Sequence, residues 1–183
     1  MLSEAESDDY FDNRITKSAF RLELLDLYDV EQETEEFSRF LAGGPFDLAE
    51  QQPWLDVLRR EEEAGIRRYR VHVVRTPLTP YLRYECEWGY VLNEPAGEEI
   101  NILDLTEQPE PDGLVDHDFW LIDDQHILRV HYGDAGHYLG MELIDESELP
   151  RYRRARDAAL APAEPFGSWW ARHPEEWRAN RAT

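Results

Sequence analysis

Residues 118–140 read DFWLIDDQHILRVHYGDAGHYLG, three short apolar clusters separated by Asp123-Asp124-Gln125 and by Gly133-Asp134-Ala135-Gly136. The apolar groups FWLI, ILRV and, further on, YLGMELI are strand-sized, and the three- and four-residue links between them are turn formers. The segment therefore reads as a meander of three strands near 118–123, 126–132 and 137–144. A rival reading exists, because Asp118, Asp123, Asp124, His126, His131, Asp134 and His137 are all groups that bind metals or move protons. Spacing argues against it. Residues five apart on a strand point to opposite faces, so His126 and His131 cannot share a site without a bulge. No HExxH, HxH or HxxxH pattern occurs anywhere in the chain. Asp123-Asp124 sits where Asp is favoured in a hairpin turn.

Working outward, residues 66–77, IRRYRVHVVRTP, alternate Tyr69, Val71 and Val73 with Arg68, Arg70 and His72, and predict a strand over 67–75. A strand is also predicted at 99–104, and SAFRLELLDLY suggests a short strand near 20–24, though Leu25 and Leu27 allow a helix. Helices are predicted after Val30 up to Gly43-Gly44, from Pro53 to Gly65, from Thr79 to Gly89, around Ala155–Leu160 and in the tryptophan-rich tail. Residues 1–12, crowded with acids, read as frayed. The expectation is one α/β or α+β domain over 13–165, its mixed or antiparallel sheet of about five strands flanked by helices, with a helix or arm at 166–183.

Composition sets the functional bounds. Forty acids face nineteen bases, for a net charge of −21. Residues 1–64 and 65–150 each hold 18 acids and 6 bases, whereas 151–183 hold 4 and 7. An acidic body repels nucleic acid, so direct binding is not expected, and basic partners are favoured. The single cysteine, Cys86, excludes an intrachain disulfide and a Cys-based zinc site. No apolar run is long enough for a membrane span, and the acidic start does not resemble a signal peptide, so a cytoplasmic protein is expected. GxSxG, GxxxxGK[ST] and GxGxxG are absent, and Lys17 is the only lysine. No metal and no cofactor are expected. A homo-oligomer is left open.

Two sets of residues remain as candidates. The acids Glu31, Glu33, Glu35, Glu36, Glu61, Glu62 and Glu63 form an acidic face for a basic partner, with Trp169, Trp170 and Trp177 as an apolar anchor unless they pack on their own domain. A small-ligand pocket would instead draw on Arg70, Arg75, Arg83, Trp88, Trp120, Asp123 and Asp124. A phosphodiester hydrolase would have only His131, Asp123 and Asp124 to work with.

The segments PLTPYLRYECEW and DFWLIDD, within a likeness that spans roughly residues 8–165, resemble a family of actinomycete proteins of unknown function commonly encoded beside helix-turn-helix regulators. The resemblance implies a regulatory interaction protein working with such a DNA-binding regulator, or else a sensory domain. The order of elements is also similar to one half of a phospholipase D-like domain. Such domains use His-x-Lys, and here Gly133 stands where the lysine would follow His131. The analogy therefore implies a non-catalytic relative.

Overall fold

The computed structural model describes residues 1–29 and 34–180. A seven-stranded sheet runs in the order β6-β5-β4-β1-β2-β3-β7, with β1 at Ser18–Glu23, β2 at Arg67–Val74, β3 at Glu98–Asp104, β4 at Phe119–Ile122, β5 at His126–Tyr132, β6 at Tyr138–Ile144 and β7 at Glu164–Pro165. Strands β1, β2 and β3 are parallel. Strand β4 lies antiparallel against β1 and begins the predicted meander. The sheet is thus mixed, a parallel centre with an antiparallel wing. The two-residue β7, paired to Asn101 and Ile102, was not legible in the sequence.

The crossovers are helical. Helix α2 (Thr34–Leu41) and α3 (Leu48–Glu63) link β1 to β2, and α4 (Pro80–Tyr84) begins the link from β2 to β3. Thr79 caps α4 by accepting from the Leu82 amide, and Pro80 takes the first turn, where no N–H is needed. The helix does not stop at Gly89 as the sequence suggested. It widens into a π-helical stretch at Glu85–Tyr90, returns to α geometry at Val91–Asn93 (α5), and ends at Gly97, whose φ of 111° only glycine adopts freely. Helix α3 likewise starts five residues before Pro53, because the Asp47 side chain caps the Ala49 amide. Pro53 falls in the second turn and cannot donate to the Ala49 carbonyl.

The chain ends are also structured. Residues 4–13 form α1 (Glu4–Asn13), not a frayed end. Ser3 and Glu6 make a reciprocal capping box, and Tyr10 packs with Ile122, Leu128, Val130 and Met141. Helix α6 (Leu149–Leu160) follows the meander, and α7 (Phe166–Arg172) closes the chain against β3.

The two faces of the sheet differ in chemistry. Alternation puts Phe20, Leu22, Tyr69, Val71, Leu103 and Phe119 on one face, where Tyr152, Ala155 and Ala159 of α6 cover them. Each such fully buried side chain contributes about 1.5–3 kcal/mol. The opposite face is apolar at its two ends, towards α4 and α7, where Val74, Ile100 and Ile102 meet Tyr81, Tyr84, Trp88, Phe166 and Trp169, and towards α1, where Ala19, Ile122, Leu128 and Val130 meet Tyr10. Its middle carries Arg21, Glu23, Arg68, Arg70, His72 and Glu98, and all but Arg70 are buried.

Candidate functional site

The strand register lines those charges up. Arg21 on β1 is the partner of Trp120 on β4 and of Arg70 on β2, while Glu23 is the partner of His72. Two guanidiniums side by side need acids between and beyond them, and the site supplies them. Arg21 Nη2 donates to Asp118 Oδ2 at 2.8 Å and to the Tyr132 hydroxyl at 2.8 Å, and its Nε lies 3.5 Å from Glu23. Arg70 donates to Glu23 at 2.9 Å and to Glu98 at 2.6 and 2.9 Å. Asp118 also accepts from the Tyr28 hydroxyl at 2.8 Å and the Leu24 amide at 2.9 Å. His72 is fully buried beside this chain, 2.6 Å from the Tyr90 hydroxyl through Nδ1 and 3.1 Å from the Leu25 carbonyl through Nε2. A carbonyl only accepts, so Nε2 carries a proton.

Burial and pairing compete at each group. Burial works against the charge of Arg21, yet Tyr132, Asp118 and Glu23 hold it protonated beyond its usual range. Burial also opposes ionisation of Glu23, but Arg70, His72 and Arg21 together bring it down to about 2. Asp118, at the end of the chain of ions, is raised by burial, and Arg21 offsets only part of that.

Two hollows open above this floor, and Trp54 of α3 lines both. The first, of about 520 Å³, is bounded by Glu36, Arg70, Tyr84, Glu85, Tyr90 and Asn93. The π-helical stretch brings Glu85, Gly89 and Tyr90 to its wall. The second, of about 450 Å³, is bounded by Arg21, Glu23, Arg68, Trp120, Tyr132 and Met141. Arg68 forks onto Glu61 at 2.6 Å through both nitrogens. Its guanidinium also lies over the rings of Trp54 and Trp120, at 5.2 and 5.7 Å. Among the described residues, two buried polar atoms of these walls have no partner, Arg21 Nη1 and Asn93 Oδ1. Folded proteins leave few such atoms, and each one calls for an explanation.

A family model for a domain of unknown function, DUF6879, matches residues 5–171. The chain belongs to the DUF6879 family. No curated protein matches its sequence. The matched span includes every residue that lines the two hollows and reaches five residues past Phe166, into the tail that the sequence reading set apart.

Within this DUF6879 domain the residues expected to form a ligand pocket only partly converge. Arg70 lines the first hollow and Trp120 the second. Trp88 is instead buried in an aromatic cluster, its ring 5.2 Å from Phe40 and 5.4 Å from Phe46. Arg83 is bound to Glu176 at 2.8 Å, and Arg75 faces solvent. Asp123 and Asp124 shape the β4–β5 turn, both with positive φ, as the turn reading has it. Asp123 accepts from the amides of Thr16, Lys17 and Ser18 and from the Thr16 hydroxyl, while Asp124 pairs with Arg153 and Arg156. Burial opposes the Asp123 charge, but those hydrogen bonds hold its carboxyl below the usual range.

The other candidates also take definite places. His131, bonded to Glu142 at 2.9 Å, sits near the far end of β5 from Asp123 and Asp124, so the three hydrolase candidates do not meet. His126 stacks edge-on against Tyr10. Among the described residues, the group able to converge on a cation is Asp104, Glu107 and His173, within 4.8 Å of one another, but Trp169 Nε1 donates to Asp104 and Arg172 to Glu107.

Of the expected acidic face, Glu31 and Glu33 lie outside the described residues. Glu35, Glu62 and Glu63 are exposed, Glu36 is buried, and Glu61 is engaged by Arg68. Trp169 is fully buried under β3, which removes it as an anchor for another chain. Trp170 and Trp177 are half-buried, and the Trp177 indole donates to the Trp170 carbonyl at 3.1 Å. Sequence reasoning missed Arg21, Glu23, Trp54 and Asn93, and weighed Asp118 only as a metal ligand or proton carrier. The available signal was SAFRLE itself, since charges alternating on a strand that proves central must be paired inside the protein.

Proposed function

We propose that this DUF6879 domain is a small-ligand sensor that does no chemistry of its own and passes occupancy of its cleft to a DNA-binding regulator. The observation that carries the reading is the pair of adjoining hollows whose buried walls leave Arg21 Nη1 and Asn93 Oδ1 without partners. A ligand with a donor for Asn93 Oδ1, or an acceptor for Arg21 Nη1, would satisfy that atom. Aromatic walls with a few fixed polar groups are the usual make-up of small-molecule sites. Among the described residues the cleft brings no serine, threonine or cysteine beside a base, and the phosphodiester set of His131, Asp123 and Asp124 is scattered, which argues against catalysis.

The link to a regulator comes from the resemblance to actinomycete proteins encoded beside helix-turn-helix regulators. The net charge of −21 and the exposed Glu35, Glu62 and Glu63 favour docking on a basic surface. A screen of small molecules by thermal shift and tryptophan emission tests the proposal. Compounds that raise the melting temperature and change the emission are expected, and Trp54→Ala, which opens both hollows, should abolish the effect. A broad screen with no hit on the wild-type protein would defeat the ligand reading. If the acidic face alone binds the regulator, the complex should weaken steeply with salt and ignore Trp54→Ala.

A further inference from the structure

Resting on the reading of the cleft as a ligand site, we infer that its first hollow takes the ammonium end of a small organic amine. The charge of its wall is one-sided. Glu35, Glu36, Glu50 and Glu85 line it, against the single guanidinium of Arg70. Arg70 is already spent, with Nη1 on Glu23 and its other donors on Glu98. Arg39, just outside, is bound to Glu50. Glu36 is only 8% exposed, and its oxygens accept from Gln51 Nε2 at 2.9 and 3.1 Å and from the Tyr84 hydroxyl at 2.9 Å. These donors are neutral, and among the described residues no cation lies within ion-pair distance of Glu36. A buried carboxylate without a counter-charge is costly, and an incoming ammonium supplies one.

Asn93 makes the same demand independently. It is 6% exposed, and its Nδ2 donates to Glu98 Oε2 at 2.9 Å. Glu98 can only accept as a carboxylate, so the amide cannot be turned round, and Oδ1 is the end left without a partner. An acceptor beside carboxylates selects a donor that carries positive charge. An anion would have to sit against Glu35, Glu36 and Glu85, and a neutral ligand would leave Glu36 uncompensated. Beyond Trp54 the second hollow presents Phe11, Trp120, Val130 and Met141, which suit the hydrocarbon of such an amine. The ligand class is therefore an alkyl amine or diamine with its charged end at Glu36 and Asn93.

Calorimetric titration of the full chain with putrescine, 1,4-butanediol and succinate, at about 150 mM salt to screen surface charge, tests this. Saturable single-site binding is expected for putrescine and none for its neutral and anionic analogues. Glu36→Gln, which keeps an acceptor for Tyr84 but drops the charge, should weaken putrescine about tenfold or more. Glu35→Gln, at an exposed position and safe for folding, should weaken it by about twofold to fivefold, and Glu110→Gln, on the exposed loop ahead of β4, should leave it unchanged. Putrescine binding that is unsaturable, or that survives both Glu36→Gln and Glu35→Gln, is counter-ion association with the acidic surface and overturns the inference. A neutral or anionic compound that binds in a Trp54-dependent way, with no amine binding, refutes the amine and leaves the sensor reading standing. Absence of binding by compounds of every charge refutes both.

Discussion

Asp118 and Arg21 meet across a separation of 97 positions. Deleting one partner of a buried ion pair strands the other. Arg21→Met is expected to cost about 3–5 kcal/mol, whereas Arg21→Met with Asp118→Leu should recover much of the loss; urea midpoints of the two variants check this. Glu23 gives a pH test. Its folded pKa of about 2 lies below the ordinary value of 4.5, so its contribution is present in full above pH 4.5 and fades as pH falls towards 2. The stability gap between wild type and Glu23→Gln should therefore be widest near neutral pH and close towards pH 2. A gap that stays constant over that range would show that the charge is not what stabilises. None of these partnerships was legible in the sequence, because strand alternation says which face a charge takes and not what faces it. With forty acids to nineteen bases, arginines on the sheet find carboxylates within the chain, as Arg68 with Glu61 and Arg70 with Glu23 and Glu98 show.

Strands were easier to read than helix ends. The period of two in RYRVHVV and the turn formers at 123–125 and 133–136 are local signals, and β2, β4, β5 and β6 fall where they indicate. Helix limits depend on caps and on tertiary cover. Gly89 looked like a stop, yet the flanking Trp88 and Tyr90 are buried against the sheet and hold the chain helical through it. The true stop, Gly97, is fixed by what lies next to it. A Cβ there would come within 2.8 Å of Glu62 Cβ, at a φ of 111°. Gly97→Ala is expected to destabilise by about 1–3 kcal/mol, and to disturb the wall that carries Asn93. Thermal melts alone would show the first effect, and amide protection of residues 91–96 would show the second. An unchanged melting temperature would mean that the turn relaxes freely.

At the level of the whole molecule, no helix among the described residues is long and apolar enough to cross a membrane, and both Leu2 and helix α7 are bound into the fold. The Leu2 amide donates to the Met141 carbonyl on β6 at 2.7 Å, and α7 lays Phe166 and Trp169 over Ile100 and Ile102. The tail is structural, so a chain cut after Pro165 is expected to lose cooperative unfolding and expose the Tyr90 side of the first hollow. A sharp melt retained by that truncation would contradict this. The arrangement of strands also sets a timetable. Central strand β1 has β2 on one side and β4 on the other, and β4 follows it by about 100 residues. At about 5–20 residues per second of synthesis, that edge of β1 waits roughly 5–20 seconds for its partner. Throughout the wait Arg21 is still without Asp118, the carboxylate to which it donates at 2.8 Å. Residues 118–122, which decide the sheet on paper, are thus also the ones whose emergence from the ribosome lets it close.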